Sequence, residues 1–499
     1  MIKTFKLSKV IIIGSGIAGI ASAIRLRLQG FEVEVYESNY TYGGKIRLYQ
    51  WEGYRFDTGP SLFTLPHLVD ELFQLAGKNP RDYFNYHKLS TVTRYFYENG
   101  NVIDSFSDAA KFANEVEQKL NINSKIITNF LTLQRKTYQL LAPIFIEKPI
   151  HIFIRLFKWK NIPALIHLMH PRFLKTLHNE NSKWFKNMDL TMLFDRYGTY
   201  NGSNPYKMPS LFNIISHLEH NEGAYLPDKG MYAVSESLFN LSLELGVKYH
   251  FNSKVQKINV NKNKAVGIEV NNSMIPADII ISNMDVNLTY SNLLANQKQP
   301  NIFLKNEKST SALIFHWAIN SQFPNLDVHN ILFSGNYEQE FKHLFELKSI
   351  YDDPTVYIYI SSKNNNADAP EGCENWFVMI NVPHLKNDSD SELDINFIRN
   401  IIFEKINKTL GTEMKNYIEN EHITTPIDLQ NVTNSYLGSL YGASSNSMLS
   451  AFVRHPNFAS IKNLFFVGGT VHPGGGVPLC LLSAKITSEL IQEGYNVAL

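Results

Sequence analysis

The first apolar signal in the chain is the run at residues 10–13, bounded by Lys9 and Gly14. Its length suits a strand buried on both faces, as in a parallel sheet, and is too short for a helix. Apolar positions then recur at helical spacing to about residue 29, and residues 31–36 read Phe-Glu-Val-Glu-Val-Tyr, the alternation of a second strand. Residues 230–240 predict a helix, and residues 247–251, 254–260 and 265–270 predict strands separated by polar turns. Ala277-Asp-Ile-Ile-Ile-Ser-Asn-Met-Asp285 carries another short buried run. Alternation returns at residues 312–319, 355–360 and 376–382, which predicts a second sheet. Asn364-Asn-Asn366 reads as an exposed turn, and no internal repeat is evident. The last pattern, starting at Asn463, is a strand, a glycine-rich loop and a helix to about residue 492.

Between the first strand and the helix lies Lys9-Val-Ile-Ile-Ile-Gly-Ser-Gly-Ile-Ala-Gly19. Gly14 permits the tight turn, Gly16 lets a pyrophosphate approach the backbone, and Gly19 lets helix pack on strand. The helix start, with Ile17 and Ala18, offers unpaired N–H groups to phosphate. Glu37 ends the second strand, where a carboxylate accepts from adenosine ribose hydroxyls and repels a 2′-phosphate. Strand, glycines, helix, strand and acid in that order point to a dinucleotide, although not to which one. Gly43-Gly44-Lys45 and Gly53-Tyr-Arg-Phe-Asp-Thr-Gly59-Pro60-Ser61 follow. The glycine pair lets backbone lie against a cofactor, with Lys45 or Arg47 supplying positive charge; a plain turn before a hairpin explains the pair as well.

Composition narrows the partners. The chain has 499 residues, enough for several domains or one interleaved enzyme, with 44% apolar and 19% charged residues. Lys+Arg is 47 and Asp+Glu is 46, so no nucleic-acid partner is expected. The two cysteines, Cys373 and Cys480, suggest neither a disulfide framework nor a zinc site. Residues 1–9 do not read as a signal peptide, and no apolar stretch reaches spanning length. A cytoplasmic location is expected, with attachment to a membrane surface left open.

The C-terminal segment Asn463-Leu-Phe-Phe-Val-Gly-Gly-Thr-Val-His-Pro-Gly-Gly-Gly-Val-Pro478 resembles the flavin segment of the amine-oxidase and phytoene-desaturase superfamily. The resemblance implies FAD, with the last helix pointing its N-terminus at the flavin and stabilising negative charge there. Carried over residue by residue, it places Gly468, Gly469, Thr470, Gly475, Gly476, Val477 and Pro478 at the flavin and the backbone of Val255 at the adenine. Gly468-Gly469-Thr470 stands where many relatives have an acid, so backbone N–H groups or Thr470 must replace a carboxylate contact to the ribityl chain. The implied fold class is α/β. A Rossmann-like FAD-binding domain of amine-oxidase type (residues 1–75, 225–305 and 425–499) interleaves with a mixed-sheet substrate domain (76–224 and 306–424). A helical membrane-associating part spans residues 140–178.

Phe56-Asp-Thr-Gly-Pro-Ser-Leu-Phe-Thr-Leu-Pro66, Phe194-Asp-Arg-Tyr-Gly-Thr-Tyr-Asn-Gly-Ser-Asn-Pro-Tyr206, Gly438-Ser-Leu-Tyr-Gly442 and Ser483-Ala484-Lys485 resemble bacterial-type carotenoid desaturases over essentially the whole chain. The Gly-Gly-Lys and Asp-Thr-Gly-Pro-Ser variants, with Glu374-Asn-Trp-Phe-Val378, are most similar to hydroxycarotenoid 3,4-desaturases. The resemblance implies removal of two hydrogens beside a polyene, hydride going to the flavin, with a quinone or O2 taking the electrons. An apolar tunnel would supply much of the rate by positioning. Glu219, Arg196 and His472 are the catalytic candidates. His217 and His220 should share a helix face, Glu219 pointing away, and structural hydrogen bonding or a polar surface helix is the plainer reading of this stretch. No further ligand spacing accompanies the two histidines, so no metal is expected. His316, inside an apolar strand, is expected to be a core residue. Residues 144–177 mix Lys148, Arg155, Lys158, Lys160, Arg172 and Lys175 with Phe, Trp, Ile and Leu, as in an interfacial helix pair broken at Pro163. Core packing with a basic edge explains that stretch too, but a lipid-soluble substrate favours peripheral attachment at the inner face of the membrane. Phytoene or diapophytoene desaturase, carotenoid terminal oxygenase, amine oxidase and non-redox isomerase or lipid carrier remain alternatives.

Overall fold

Strand Lys9–Ile13 is the centre of a five-stranded sheet in the computed structural model, which describes residues 8–152, 158–387, 393–447 and 454–494. Glu32–Tyr36 and Ile279–Ser282 flank it, Lys248–His250 and Leu464–Phe466 form the edges, and every pairing is parallel. The central place explains the unbroken apolar run, because Val10, Ile11 and Ile12 are fully buried and both faces are covered. Val10 and Ile12 pack under helices Ile17–Leu28 and Val477–Gln492. Ile11 and Ile13 face the antiparallel strands Val255–Asn261, Lys264–Val270 and Ser273–Pro276. Three distant stretches of chain therefore build one nucleotide-binding layer.

A seven-stranded sheet forms the second unit, in the order Ile418–Thr424, Ser311–Ile319, Glu374–Val382, Val356–Ile360, His329–Leu332, Thr91–Phe96, Val102–Phe106. It is mixed: His329–Leu332 pairs in parallel with Thr91–Phe96, and the other neighbours are antiparallel. The period of two sorts its side chains onto two different surfaces. Phe315, Trp317, Trp376 and Val378 pack on helix Ile395–Leu410 through Ile398, Ile402 and Ile406. Ile314, Phe377, Met379 and Tyr357 point the other way and line a cavity. Helices Ala109–Leu120, Ser124–Phe145, Leu177–Phe185 and Met188–Asp195 close one end around Phe112, Phe130 and Phe194.

Two local expectations change. Pro163 lies in the first turn of helix Ile162–Leu168 and so starts a helix instead of breaking one, since a fixed φ and a missing N–H suit that position. The stretch with His217, Glu219 and His220 is not a regular helix: Ile214–His217 passes into a π-helical turn, Leu218–Glu222, and all three side chains are buried. Arg155 lies outside the described residues, among which no helix is long and apolar enough to cross a membrane.

Candidate active site

At Gly14 (φ 96°) the chain leaves the first strand and turns into helix Ile17–Leu28, and its N–H donates to the Tyr36 carbonyl at 2.8 Å. Gly16 is the N-cap and brings no side-chain hydrogen bond, so the first N–H groups of this helix face a cavity of about 1050 Å³ lined also by Gly14, Ile17 and Ala18. Gly19 does not line it. A Cβ there would stand 2.3 Å from the Gly14 carbonyl oxygen, and the Gly19 N–H donates to Asn283 Oδ1 at 3.0 Å, so this glycine serves packing.

Glu37 lines the cavity while holding two loops. Its Oε2 accepts from the Ser15 N–H (2.8 Å) and hydroxyl (2.9 Å), and its Oε1 from the Asn39 N–H (2.9 Å). Gly43 (φ 102°) and Gly44 (φ 60°) carry the next loop straight across the first turn. A Cβ on Gly44 would lie 3.0 Å from the Gly16 Cα. Lys45 lines the cavity, but its ammonium donates to the Leu440 carbonyl at 2.6 Å, tying this loop to the Gly438–Gly442 motif. Burial pulls Lys45 below the usual lysine range, with Asp285 and Cys480 opposing. Gly59, Pro60, Ser61 and Val255 line the same cavity.

At the far end of the chain, Gly468, Gly469, Thr470, Gly475, Gly476, Val477 and Pro478 all line the same cavity. Gly476 is the N-cap of the last helix and again supplies no capping side chain. The Thr470 hydroxyl oxygen accepts from the Val286 N–H at 3.1 Å, leaving its hydrogen to donate. Two uncapped helix N-termini thus open on one space, each a place for negative charge. A flavin dinucleotide needs an anion site for its pyrophosphate, an acceptor at its ribose, and donors at the flavin edge. Gly16 to Ala18, Glu37 and Gly476 to Pro478 meet those needs.

The model of the family of flavin-containing amine oxidoreductases matches residues 17–492. The chain belongs to that family. FAD is its cofactor, and the chain is an oxidoreductase of the carotenoid-desaturase branch. It is 46% identical over 486 residues, 97% of this chain and 99% of the relative, to a 1-hydroxycarotenoid 3,4-desaturase of Flavobacterium sp. (strain P99-3). It is 30% identical over 492 residues, 97% of this chain and 98% of the relative, to a 4,4′-diapolycopene oxygenase of Methylomonas sp.. Putrescine oxidase bound to putrescine shares the amine-oxidoreductase fold (TM-score 0.63, 13% identity, 98% of this chain and 99% of that chain).

The catalytic candidates separate. Arg196 lines the cavity, its guanidinium 5.1 Å from the ring centres of both Tyr95 and Tyr200. Burial works against this cation, but Tyr200, Tyr95 and Glu219 hold it charged, above the ordinary arginine range. Glu219 stands behind it, 1% exposed, accepting from Tyr200 OH at 2.6 Å and facing Arg196 at 3.4 Å. It does not line the cavity, so it is a buried counterion. His220 bonds Tyr197 OH and the Phe106 carbonyl, each at 3.0 Å.

His472 is not in the active site of this flavoprotein. It does not line the cavity; its Nε2 donates to the Lys148 carbonyl at 2.9 Å and its ring sits edge-on to His151. The glycines on either side of it line the cavity, whereas the His472 ring turns to the Lys148 carbonyl. Unforeseen in the sequence are Asn283, Arg454 and Asp57. Asn283 links the first helix to the Val467 carbonyl (3.2 Å). Arg454 donates to the carbonyls of Tyr441, Ala443 and Gly469. Asp57 accepts from the N–H groups of Met231 and Tyr232 at the start of helix Tyr232–Glu244. Asp57 and Asn283 each lie in a segment the sequence singles out, Asp-Thr-Gly and Ala277–Asp285, although neither segment discloses these bonds; a lone Arg carries no signal.

His316, His455 and His472 share one electrostatic state: burial pushes each from 6.5 to about 3. The unfolded chain binds protons on them as pH falls through 6.5, whereas the folded chain does not, so the folded state is favoured above that pH and loses ground below it. The unfolding free energy from urea titrations should fall on acidification below about pH 6.5, these histidines contributing a limiting slope of about 1.4 kcal/mol per pH unit each. A value unchanged down to about pH 5 would contradict neutral burial.

Proposed function

We propose that the protein is an FAD-dependent carotenoid desaturase that forms the 3,4 double bond of a 1-hydroxy- or γ-carotene-type substrate. One observation carries the reading: the cavity that begins at the cofactor-binding glycines continues along the apolar and aromatic face of the seven-stranded sheet, past Ile314, Phe377, Met379 and Ile331. A rigid polyene fits such a wall, and the similarity to a 1-hydroxycarotenoid 3,4-desaturase names the bond. Bound FAD supplies the two-electron acceptor. The sheet face holds the polyene, excludes water and keeps the reacting carbons close to the cofactor, the kind of positioning that lowers barriers without a strong base. With FAD taking hydride from one carbon, the neighbouring carbon would release its proton to solvent, and positive charge developing at carbon would be spread into the polyene. A quinone or O2 then takes the electrons.

Anaerobic mixing of the FAD-loaded enzyme with 1′-hydroxy-γ-carotene should bleach the flavin and yield a product two hydrogens lighter. Colour formed from phytoene without reaction of the hydroxycarotenoid would overturn the choice of substrate. Oxygen appearing at a terminal methyl group would mark the chemistry named for the Methylomonas relative.

The substrate dissolves in lipid, and we place the enzyme on the inner face of the cell membrane. Trp159 (87% exposed), Met169 (79%), Leu174 (78%) and Ile166 (63%) crowd one stretch of chain with Lys158 and Lys160 exposed among them. Apolar side chains flanked by cations suit an anionic lipid surface. Replacing Trp159, Ile166, Met169 and Leu174 together with Ser should cut co-sedimentation with anionic vesicles by about tenfold or more while leaving the melting temperature unchanged. Unchanged co-sedimentation would remove the attachment site.

A further inference from the structure

Within the apolar stretch of the cavity wall one polar trio stands out. His329 and Tyr357 occupy neighbouring strands of the seven-stranded sheet, and both line the cavity, as does Ser61. His329 Nδ1 and the Tyr357 hydroxyl are 2.8 Å apart, and that hydroxyl is 2.6 Å from Ser61 Oγ. His329 is 2% exposed, its ring stacked on Tyr359 at 4.9 Å between centroids. Its other nitrogen, Nε2, is buried with no partner among the described residues. A buried polar atom left unpaired is costly, and His329 is a residue of the cavity wall, so a ligand group entering beside its ring can complete the pairing.

We propose that His329, oriented by Tyr357 and Ser61, binds the substrate's tertiary hydroxyl and thereby decides which bond of the polyene faces the flavin. This rests on the hydroxycarotenoid reading above. The place along the cavity agrees with it. Ser61 follows Gly59, whose Cα packs so tightly on the Lys45 carbonyl that a Cβ would come within 2.0 Å, so the trio adjoins the cofactor loop. In a 1-hydroxy-3,4-desaturation only C2 separates the hydroxyl-bearing carbon from the reacting bond, and the anchor must lie close to the flavin. An apolar tunnel cannot choose a register along a repeating polyene, because each shift exposes similar surface. A single hydrogen-bonding anchor can. Burial pushes His329 down to about 3, which leaves a neutral imidazole. Whichever way the Ser61–Tyr357–His329 hydrogen bonds run, Nε2 presents either a donor or an acceptor, and an alcohol answers both. The Arg196 guanidinium, which also lines this region and opposes protonation of His329, is held by Glu219 and its aromatic rings.

The test compares a hydroxylated carotenoid with its deoxy counterpart on the FAD-loaded enzyme, reading kcat/KM, flavin bleaching and the position of the new double bond. Wild type should favour the hydroxylated substrate by roughly 10- to 100-fold, the range expected for a buried hydrogen bond to a substrate hydroxyl. His329→Phe keeps a stacking ring and removes both nitrogens. Tyr357→Phe removes only the hydroxyl that orients His329, and preserves packing. Each should lower the preference for the hydroxylated carotenoid over the deoxy one by about tenfold or more and spread the new double bond over several positions. Equal losses on both substrates, or an unchanged preference, would overturn the subsite. Failure of wild type to oxidise either carotenoid would overturn the desaturase reading and the subsite with it.

Discussion

Gly44→Val will leave the protein without FAD. Gly44 holds φ at 60°, the left-handed region, which costs a β-branched residue about 1–3 kcal/mol on its own. Its Cβ would stand 3.0 Å from the Gly16 Cα, and both glycines line the cavity, so relief of the contact must push one loop away from the other. Phosphate binding at the first helix depends on the approach of those two loops. A loss of about 3 kcal/mol is a hundredfold or more in FAD affinity. The check is the flavin absorbance of purified protein together with an FAD titration of the apoprotein. Gly77→Ala is the control: Gly77 also has a positive φ (71°) but meets nothing within 4 Å, so it feels strain without touching the cofactor. Stoichiometric flavin in Gly44→Val would show that the Gly43–Gly44 loop is not part of the cradle.

Glu219→Ala should destabilise the protein severely and not merely slow it. Removing the carboxylate strands the Arg196 cation, 8% exposed, with its Nε unpaired and its nearest opposite charge gone. Breaking one side of such a buried pair costs about 3–5 kcal/mol, a large part of a total stability of about 5–15 kcal/mol. The double variant Arg196→Met, Glu219→Leu removes both charges and should be more stable than Glu219→Ala alone, because no uncompensated ion remains. Thermal and urea unfolding of the three proteins decide this. Glu219→Gln provides the catalytic control, since the amide keeps the hydrogen bond with Tyr200. Full stability with abolished flavin reduction in that variant would make Glu219 a catalytic group acting through Tyr200 or Arg196.

The residues legible from sequence are those whose role is local. Gly14 turns the chain at a φ of 96° and Gly19 lies against the Gly14 carbonyl, needs set within a few residues of chain. Glu37 follows from the length of a strand. The period of two in residues 312–319 and 376–382 announced a sheet because it repeats along a single segment. His472 shows the limit of that kind of reading. It sits in the glycine loop in sequence but bonds the Lys148 carbonyl, away from the cofactor, because neighbours along an irregular backbone point in unrelated directions. The Leu218–Glu222 turn shows it again: Glu219 and His220 both point inward because the widened turn and the surrounding core set their directions, not a helical wheel.

The sequence by itself determined that both ends of this chain serve one dinucleotide, that the cofactor is a flavin, and that the middle holds a second sheet. The dinucleotide and the second sheet rest on short-range rules of turn, strand and helix start, whereas the flavin and the joining of the two ends rest on the resemblance of the C-terminal segment to a flavoprotein family. Only the tertiary structure decided how the distant pieces meet. Asn283 bridges the first helix and the last strand, Arg454 gathers the carbonyls of the Tyr441 and Gly469 loops, and Lys45 ties the second glycine loop to Leu440. It also decided that His329, Tyr357 and Ser61 form one polar site in an apolar wall. Contacts between residues hundreds of positions apart depend on packing across sheets and loops, and no local pattern in the chain records them.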